Sequence, residues 1–452
     1  MIKHFSRFLL RKPEAGLALS FFLIILIGTL LLSLPWATKN DISLLDALFT
    51  STSATCVTGL IVKDTGQDFT LFGQIVIMIL IQLGILEIMG FASLFFLALR
   101  ERISITEETF LKESMEVEFR REAKKLLKFI FISILVIEAF GTIFLFWAWN
   151  ENFPNTGQAL FSSLFHSVSA FCNAGFSLFS DSLEVFRGST SINFIFGILI
   201  FLGSLGFLTI RELKQKFISL FKSRLSPYGQ RFRISFYSKI ILIFVLGLVI
   251  LGAALFYFFE KGNLSELDTK TLWLTAFFQS VTRTAGFNTI DIGELSHPTL
   301  LVLMFLMFVG GAPGSAAGGI KVISLALIII FIIVFFKRKE EATIFRHTIS
   351  PIFFRKVLVL VSVCLIITLA GTLILLYTEK GQFEEILFEA ISAFGTVGLS
   401  MGLTPSLSTA GKVVIIILMY LGRTTPLTLA LIGARELIKA KVHFLDEKIY
   451  LG

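Results

Sequence analysis

Four short stretches of this 452-residue chain repeat one pattern: Ser53–Gly59, Ser169–Gly175, Ser280–Gly286 and Ser392–Gly398. Each opens with Ser, closes six positions later with Gly, and runs on into Leu60, Phe176, Phe287 or Leu399. The glycines recur at intervals of 116, 111 and 112 residues. A single such stretch carries no information, but four at nearly even spacing are a repeat architecture. Cys56 and Cys172 lie within them and Cys364 elsewhere, with no metal-ligand spacing and no pairing that the sequence defines. The chemistry open to these stretches is that of their backbone. Extended segments that end in Gly let carbonyl oxygens approach a cation and replace its water shell.

Such backbone needs elements that keep it from lipid, where unpaired N–H and C=O groups are too costly. The sequence supplies them in four copies. Each copy has a long apolar span, a short helix too brief to cross a bilayer, the Gly-ending segment and a second span. In the first unit the spans are expected near 18–35 and 71–99, enclosing a short helix near 43–52. In the second they fall near 126–149 and 192–210, enclosing 156–176. In the third they fall near 240–259 and 299–336, enclosing 271–287. In the fourth they fall near 357–377 and 412–437, enclosing 383–399. The fold expected is an all-α polytopic membrane protein of eight spans and four re-entrant pore helices in pseudo-fourfold arrangement. Its units cover residues 1–100, 101–222, 223–340 and 341–452.

Composition supports lipid as the solvent. Hydrophobic residues make up 55% of the chain and charged residues only 16%, against roughly 25% charged in soluble domains. The net charge of +8 does not mark a nucleic-acid binder, because no basic domain interleaved with aromatics is present. Instead 30 of the 40 Lys and Arg lie in the two terminal segments and in 100–128, 211–239 and 337–356. That bias places these segments and both termini in the cytoplasm, and the mouths of the re-entrant segments outside. The apolar run after the basic N-terminus is long for a signal peptide and lacks a small-residue cleavage site, so it reads as an uncleaved first span.

Taken together, Thr52–Leu60, His166–Phe176, Thr282–Phe287 and Ser392–Leu399 resemble the degenerate filter of the Trk/Ktr/HKT superfamily of potassium transporters, and the resemblance covers nearly the whole chain. Chain length favours the Ktr branch. The resemblance implies potassium as the transported ion, bound by Val57, Thr58 and Gly59; Asn173, Ala174 and Gly175; Thr284, Ala285 and Gly286; and Thr396, Val397 and Gly398. Only the glycines come from the repeat itself; the neighbouring carbonyls follow from filter geometry. Glycine at all four positions favours potassium over sodium, since sodium-accepting members often have serine at the first. The resemblance also implies a homodimer seated on a cytosolic ring of nucleotide-binding subunits of the KtrA type. It allows sodium as an activator and requires no organic cofactor. A Trk-type or sodium-permeable member is the alternative within the superfamily.

Two further motifs follow. Gly310 to Lys321 packs five glycines and a proline into the third unit's second span, where a helix should break. Gly-Lys-Ser/Thr is absent and no strand precedes the run, so it is not a phosphate loop. The superfamily has an intramembrane gating loop at this place, which assigns Gly310, Gly311, Gly314, Ser315, Gly318, Gly319 and Lys321 to a gate. Arg423 stands inside the last span and should face protein or water rather than lipid. Superfamily members place an arginine there as an electrostatic barrier beneath the filter. Glu87 is an unexpected acid in a span, and Glu138 reads as paired within the bundle. His166 and Glu389, each three residues before a repeat Ser, read as packing or bonding to the filter. Arg283 should turn away from the axis and brace its loop. The third pore helix breaks step, with Ala276 where the others have Phe49, Phe165 and Phe388. The scattered histidines argue against a membrane-embedded enzyme, and four repeats in one orientation argue against an inverted-repeat transporter.

Overall fold

The structure is a computed structural model that describes residues 13–103, 112–225, 232–338, 341–344 and 347–433. The basic clusters at the two ends of the chain lie outside the described residues. In chain order the helices are α1 (Pro13–Leu32), α2 (Leu44–Thr55), α3 (Leu71–Ile103), α4 (Lys112–Trp149), α5 (Thr156–Phe171), α6 (Thr190–Ser204) and α7 (Phe207–Leu225). They continue with α8 (Phe236–Glu260), α9 (Thr269–Val281), α10 (His297–Phe308) and α11 (Val322–Phe336). A small antiparallel hairpin, β1 (Ala342–Ile344) and β2 (His347–Ile349), precedes α12 (Pro351–Thr378), α13 (Phe383–Gly395) and α14 (Thr409–Gly433).

Among the described residues, six helices are long and apolar enough to cross a membrane, or seven if the bent pair α6–α7 is one span. Two expected spans are interrupted. The run near 192–210 bends by 109° between α6 and α7. The run near 299–336 is two short helices, α10 and α11, separated by the glycine-rich loop. The first break is made by that loop. The amides of Ala312 and Ala316 in the loop donate to the carbonyls of Ser204 and Gly203, at 2.8 and 2.9 Å. Those carbonyls would otherwise serve the next turn of α6, so α6 stops there and Gly206, at φ +76°, turns the chain.

The short helices α2, α5 and α13 are started by local chemistry. Ser43 and Asn155 accept from the amides of Asp46 and Gln158, and Gln382 with Glu385 forms a reciprocal capping box. Glycines of the preceding long helices let them pack closely. Gly28, Gly141 and Gly252 lie directly against the hydroxyls of Ser51, Ser167 and Ser280. Each hydroxyl donates to the carbonyl three residues before that glycine: Ile25 and Glu138 at 2.8 Å, Val249 at 2.7 Å. The outward faces are apolar, as at Ile27, Leu30, Trp147 and Phe258, all exposed. A fold in water would bury such residues; in lipid they sit against a solvent as apolar as themselves.

Candidate functional site

The serine contacts fix the register of the first three units against one another. Ser51, Ser167 and Ser280 occupy one structural position, two residues after a buried Phe: Phe49, Phe165 and Phe278. Phe278, not Ala276, is therefore the third unit's counterpart of Phe49, Phe165 and Phe388, and the apparent break in step disappears. The repeat Ser of the third unit is correspondingly a coincidence of spacing. Ser53 and Ser392 accept from the amides of Gly59 and Gly398, at 3.0 and 3.1 Å, and Ser169 donates to Phe176. Ser280 turns to α8 instead. The position of Ser53 is held in the third unit by Thr282, which stands four residues before its glycine rather than six. Two residues are missing from that turn, and the backbone absorbs the loss. Val57, Asn173 and Thr396 are left-handed at φ +57°, +57° and +47°, whereas 282–284 form a 3-10 turn.

Despite the shorter turn, the four glycines meet. Gly59, Gly175, Gly286 and Gly398 have φ of +94°, +71°, +72° and +95°, values that a Cβ would strain. A side chain on Gly59 would strike the carbonyl of Ala174, and one on Gly175 the carbonyl of Ala285. One on Gly286 would strike the carbonyl of Val397, and one on Gly398 the carbonyl of Thr58. These contacts run from the first unit to the second, third and fourth and back to the first. They close a ring. Polar contacts tie the same neighbours. Thr284 donates to Asn173 at 2.8 Å inside the ring. Outside it, Gln67 bonds Ser180 at 2.7 Å, the amide of Leu183 donates to Asn288 at 3.0 Å, and His297 meets Glu384 at 2.6 Å. Lys412 pairs with Asp46 at 2.7 Å, joining the last long helix to the first short one. Val57, Thr58, Ala174, Ala285, Thr396 and Val397 are all buried at the ring.

The glycine-rich loop lies against this ring. Its entry and exit run side by side, with the amide of Gly310 donating to Ile320 at 2.8 Å. Gly314 and Gly319 take left-handed angles of +70° and +62°. Gly318 packs so closely on Thr396 and Gly395 that a side chain would strike the threonine hydroxyl. Ser315 is fully buried, and Lys321 folds back to donate to Ala317 at 2.5 Å. Arg423 is 2% exposed and donates through Nη1 to Ala316 at 2.6 Å. Its Nε and Nη2 have no partner among the described residues. The loop thus rests on the second unit through Gly203 and Ser204 and on the fourth through Thr396 and Arg423.

Other charged residues resolve as structure. Arg283, 1% exposed, donates to the carbonyls of Leu306, at 3.2 Å, and Val309. It holds the end of α10, where the chain breaks and carbonyls lose their helical partners. Glu138 accepts from Gln82 at 2.5 Å, and its backbone carbonyl takes Ser167. Glu87 accepts from the hydroxyl of Ser20 on α1. His166 and Glu389 were signalled in the sequence as bonding candidates, but their partners, which lie beyond the glycines, were not.

The helices and the ring define a multi-pass helical membrane protein organised around four convergent backbone segments. The chain belongs to the TrkH cation transport protein family, whose profile matches residues 6–442. It is accordingly a transporter and not an enzyme. Among its relatives is the Ktr system potassium uptake protein B of Vibrio alginolyticus, 38% identical over 92% of this chain and 90% of that one. Its namesake in Bacillus subtilis is 37% identical, covering 97% of each chain. The potassium/sodium uptake protein NtpJ of Enterococcus hirae is 37% identical over 98% of this chain and 97% of that one. The potassium transporter TrkH of Vibrio parahaemolyticus shares the fold, with a TM-score of 0.66 over 91% of this chain and 84% of that one, at 21% identity.

Proposed function

We propose that this chain takes up potassium across the cytoplasmic membrane through the ring formed by Gly59, Gly175, Gly286 and Gly398. The closed circuit of glycine-to-carbonyl contacts carries the reading. In this reading the carbonyls of Val57 to Gly59, Asn173 to Gly175, Thr284 to Gly286 and Thr396 to Gly398 line one path, where they stand in for the water shell of a dehydrated cation. Each of the four repeat units contributes one quarter of that path, with its short helix as a pore helix. The loop from Gly310 to Gly319 is the gate. Its glycines let it lie flat against the ring, and Arg423 and Lys321 place positive charge beside the path. A cation there meets repulsion until the loop moves.

The basic segments face the cytoplasm with both termini, and lipid covers the exposed apolar faces. The functional particle is a homodimer on a cytosolic nucleotide-binding ring of the KtrA type. Relatives named as protein B of a Ktr system support that assignment. A second reading, sodium carried alongside potassium, is favoured by the relative named for both ions. Uptake of each ion in cells lacking their own potassium uptake separates the two. Potassium accumulation that sodium does not suppress, and that rises on co-expression of a KtrA-type partner, is the expected result. Equal uptake of both ions selects the second reading, and uptake of neither overturns the first.

A further inference from the structure

Each unit's core Phe is followed by a polar residue: Thr50, His166, Gln279 and Glu389, all buried behind the ring. Two of the four reach past their glycine to the segment that leaves it. His166 uses Nδ1–H on the carbonyl of Ser162, at 2.8 Å, which leaves Nε2 to accept from the amide of Leu178, at 3.3 Å, and from the hydroxyl of Ser177, at 3.1 Å. Those residues stand two and three positions beyond Gly175. Glu389 does more. Its carboxylate takes the hydroxyls of Ser400 and of Thr404, the latter at 2.8 Å. Ser400 in turn accepts the amide of Gly402, at 2.9 Å, in a left-handed turn of φ +90°. Thr50 and Gln279 have no partner for their side-chain polar atoms among the described residues.

A carboxylate buried without a cation is tolerated only when its lone pairs are met by donors. Here the donors come from the stretch that begins two residues after Gly398. Satisfying Glu389 therefore fixes residues 400–404, and through them the exit of the fourth segment. The geometry points to Glu389 as a positioning residue for the ring, with His166 as its counterpart in the second unit. The first and third units lack this brace. The inference rests on the reading of the ring as a cation filter. It states that discrimination between potassium and sodium depends on the hydrogen bonds that Ser400 and Thr404 donate to Glu389. Without them the Val397–Gly398 carbonyls are free to close on a smaller ion.

Potassium KM and potassium-over-sodium uptake, each normalised to inserted protein, test this in four variants. Glu389→Gln keeps the volume but turns one acceptor into a donor. Ser400→Ala with Thr404→Val removes the hydroxyls and leaves the carboxylate. Both should raise the potassium KM and lower discrimination by about tenfold, the worth of one such bond network. The combined triple variant should be no worse than the more affected of the two, because all act through one set of bonds. Unchanged KM and discrimination in inserted protein overturn the brace. If Glu389→Gln fails to insert, the Ser400/Thr404 variant decides alone. Gly59→Ser is the control. Loss of discrimination there, with none in the other variants, sinks the brace and leaves the filter standing. No loss in any variant sinks the filter reading itself.

Discussion

Replacing Gly59 with serine lowers potassium-over-sodium discrimination by about tenfold or more, the strain of one displaced backbone segment. The reason is steric before it is chemical. Gly59 sits at φ +94°, and a Cβ there would strike the carbonyl of Ala174 in the neighbouring unit. Serine must either rotate its own backbone or push that carbonyl aside. In the proposed filter, both break the fourfold set of oxygens that would replace potassium's water shell. A smaller, more strongly hydrated ion suffers less from an irregular cage. Competition of sodium against potassium uptake, at equal amounts of inserted protein, measures the change. Unchanged discrimination would sink the assignment of Gly59 to the filter.

The second large effect concerns the loop. Deleting Pro313–Ala317 raises the maximal potassium flux about tenfold, equivalent to removing ~1.4 kcal/mol of barrier. Among the contacts that hold the loop are the amides of Ala312 and Ala316 on the carbonyls of Ser204 and Gly203, and Arg423 on Ala316. Arg423→Gln removes one anchor and one buried charge and moves flux in the same direction. Rubidium flux into proteoliposomes, with reconstituted protein quantified, reads both variants. Flux that stays unchanged, or that is merely lost in properly inserted protein, counts against a gate at this position.

Much of this was legible from residue types alone. The glycines of the four segments marked their positions because few other residues tolerate φ near +90° in close contact with a neighbouring carbonyl. The short helices were visible because runs such as Leu44–Thr55 and Phe383–Gly395 stop well short of a bilayer's width. The break at Gly310–Gly319 was written in its glycines.

The register of the third unit was not. Ser280 stands six residues before Gly286 by coincidence, and that coincidence hid a two-residue deletion. The signal that would have exposed it was present: Phe278, a polar residue and Ser280 match Phe49-Thr50-Ser51 and Phe165-His166-Ser167. The bend between α6 and α7 was illegible for a different reason. The carbonyls of Gly203 and Ser204 are taken by amides more than a hundred residues later in the chain, and no local pattern reports such a contact. The partners of Glu389 were hidden in the same way, since its donors lie beyond the glycine in a stretch with no periodic pattern.

The most direct test of the central claim is to see the ion. Crystals of this protein grown with rubidium or thallium in place of potassium should give anomalous density on the axis enclosed by Gly59, Gly175, Gly286 and Gly398, within reach of the carbonyls of Thr58, Ala174, Ala285 and Val397. Density at that place, displaced by excess potassium but not by sodium, is the result this account predicts. An empty ring, with the ion bound elsewhere in the membrane-embedded helices, would contradict it.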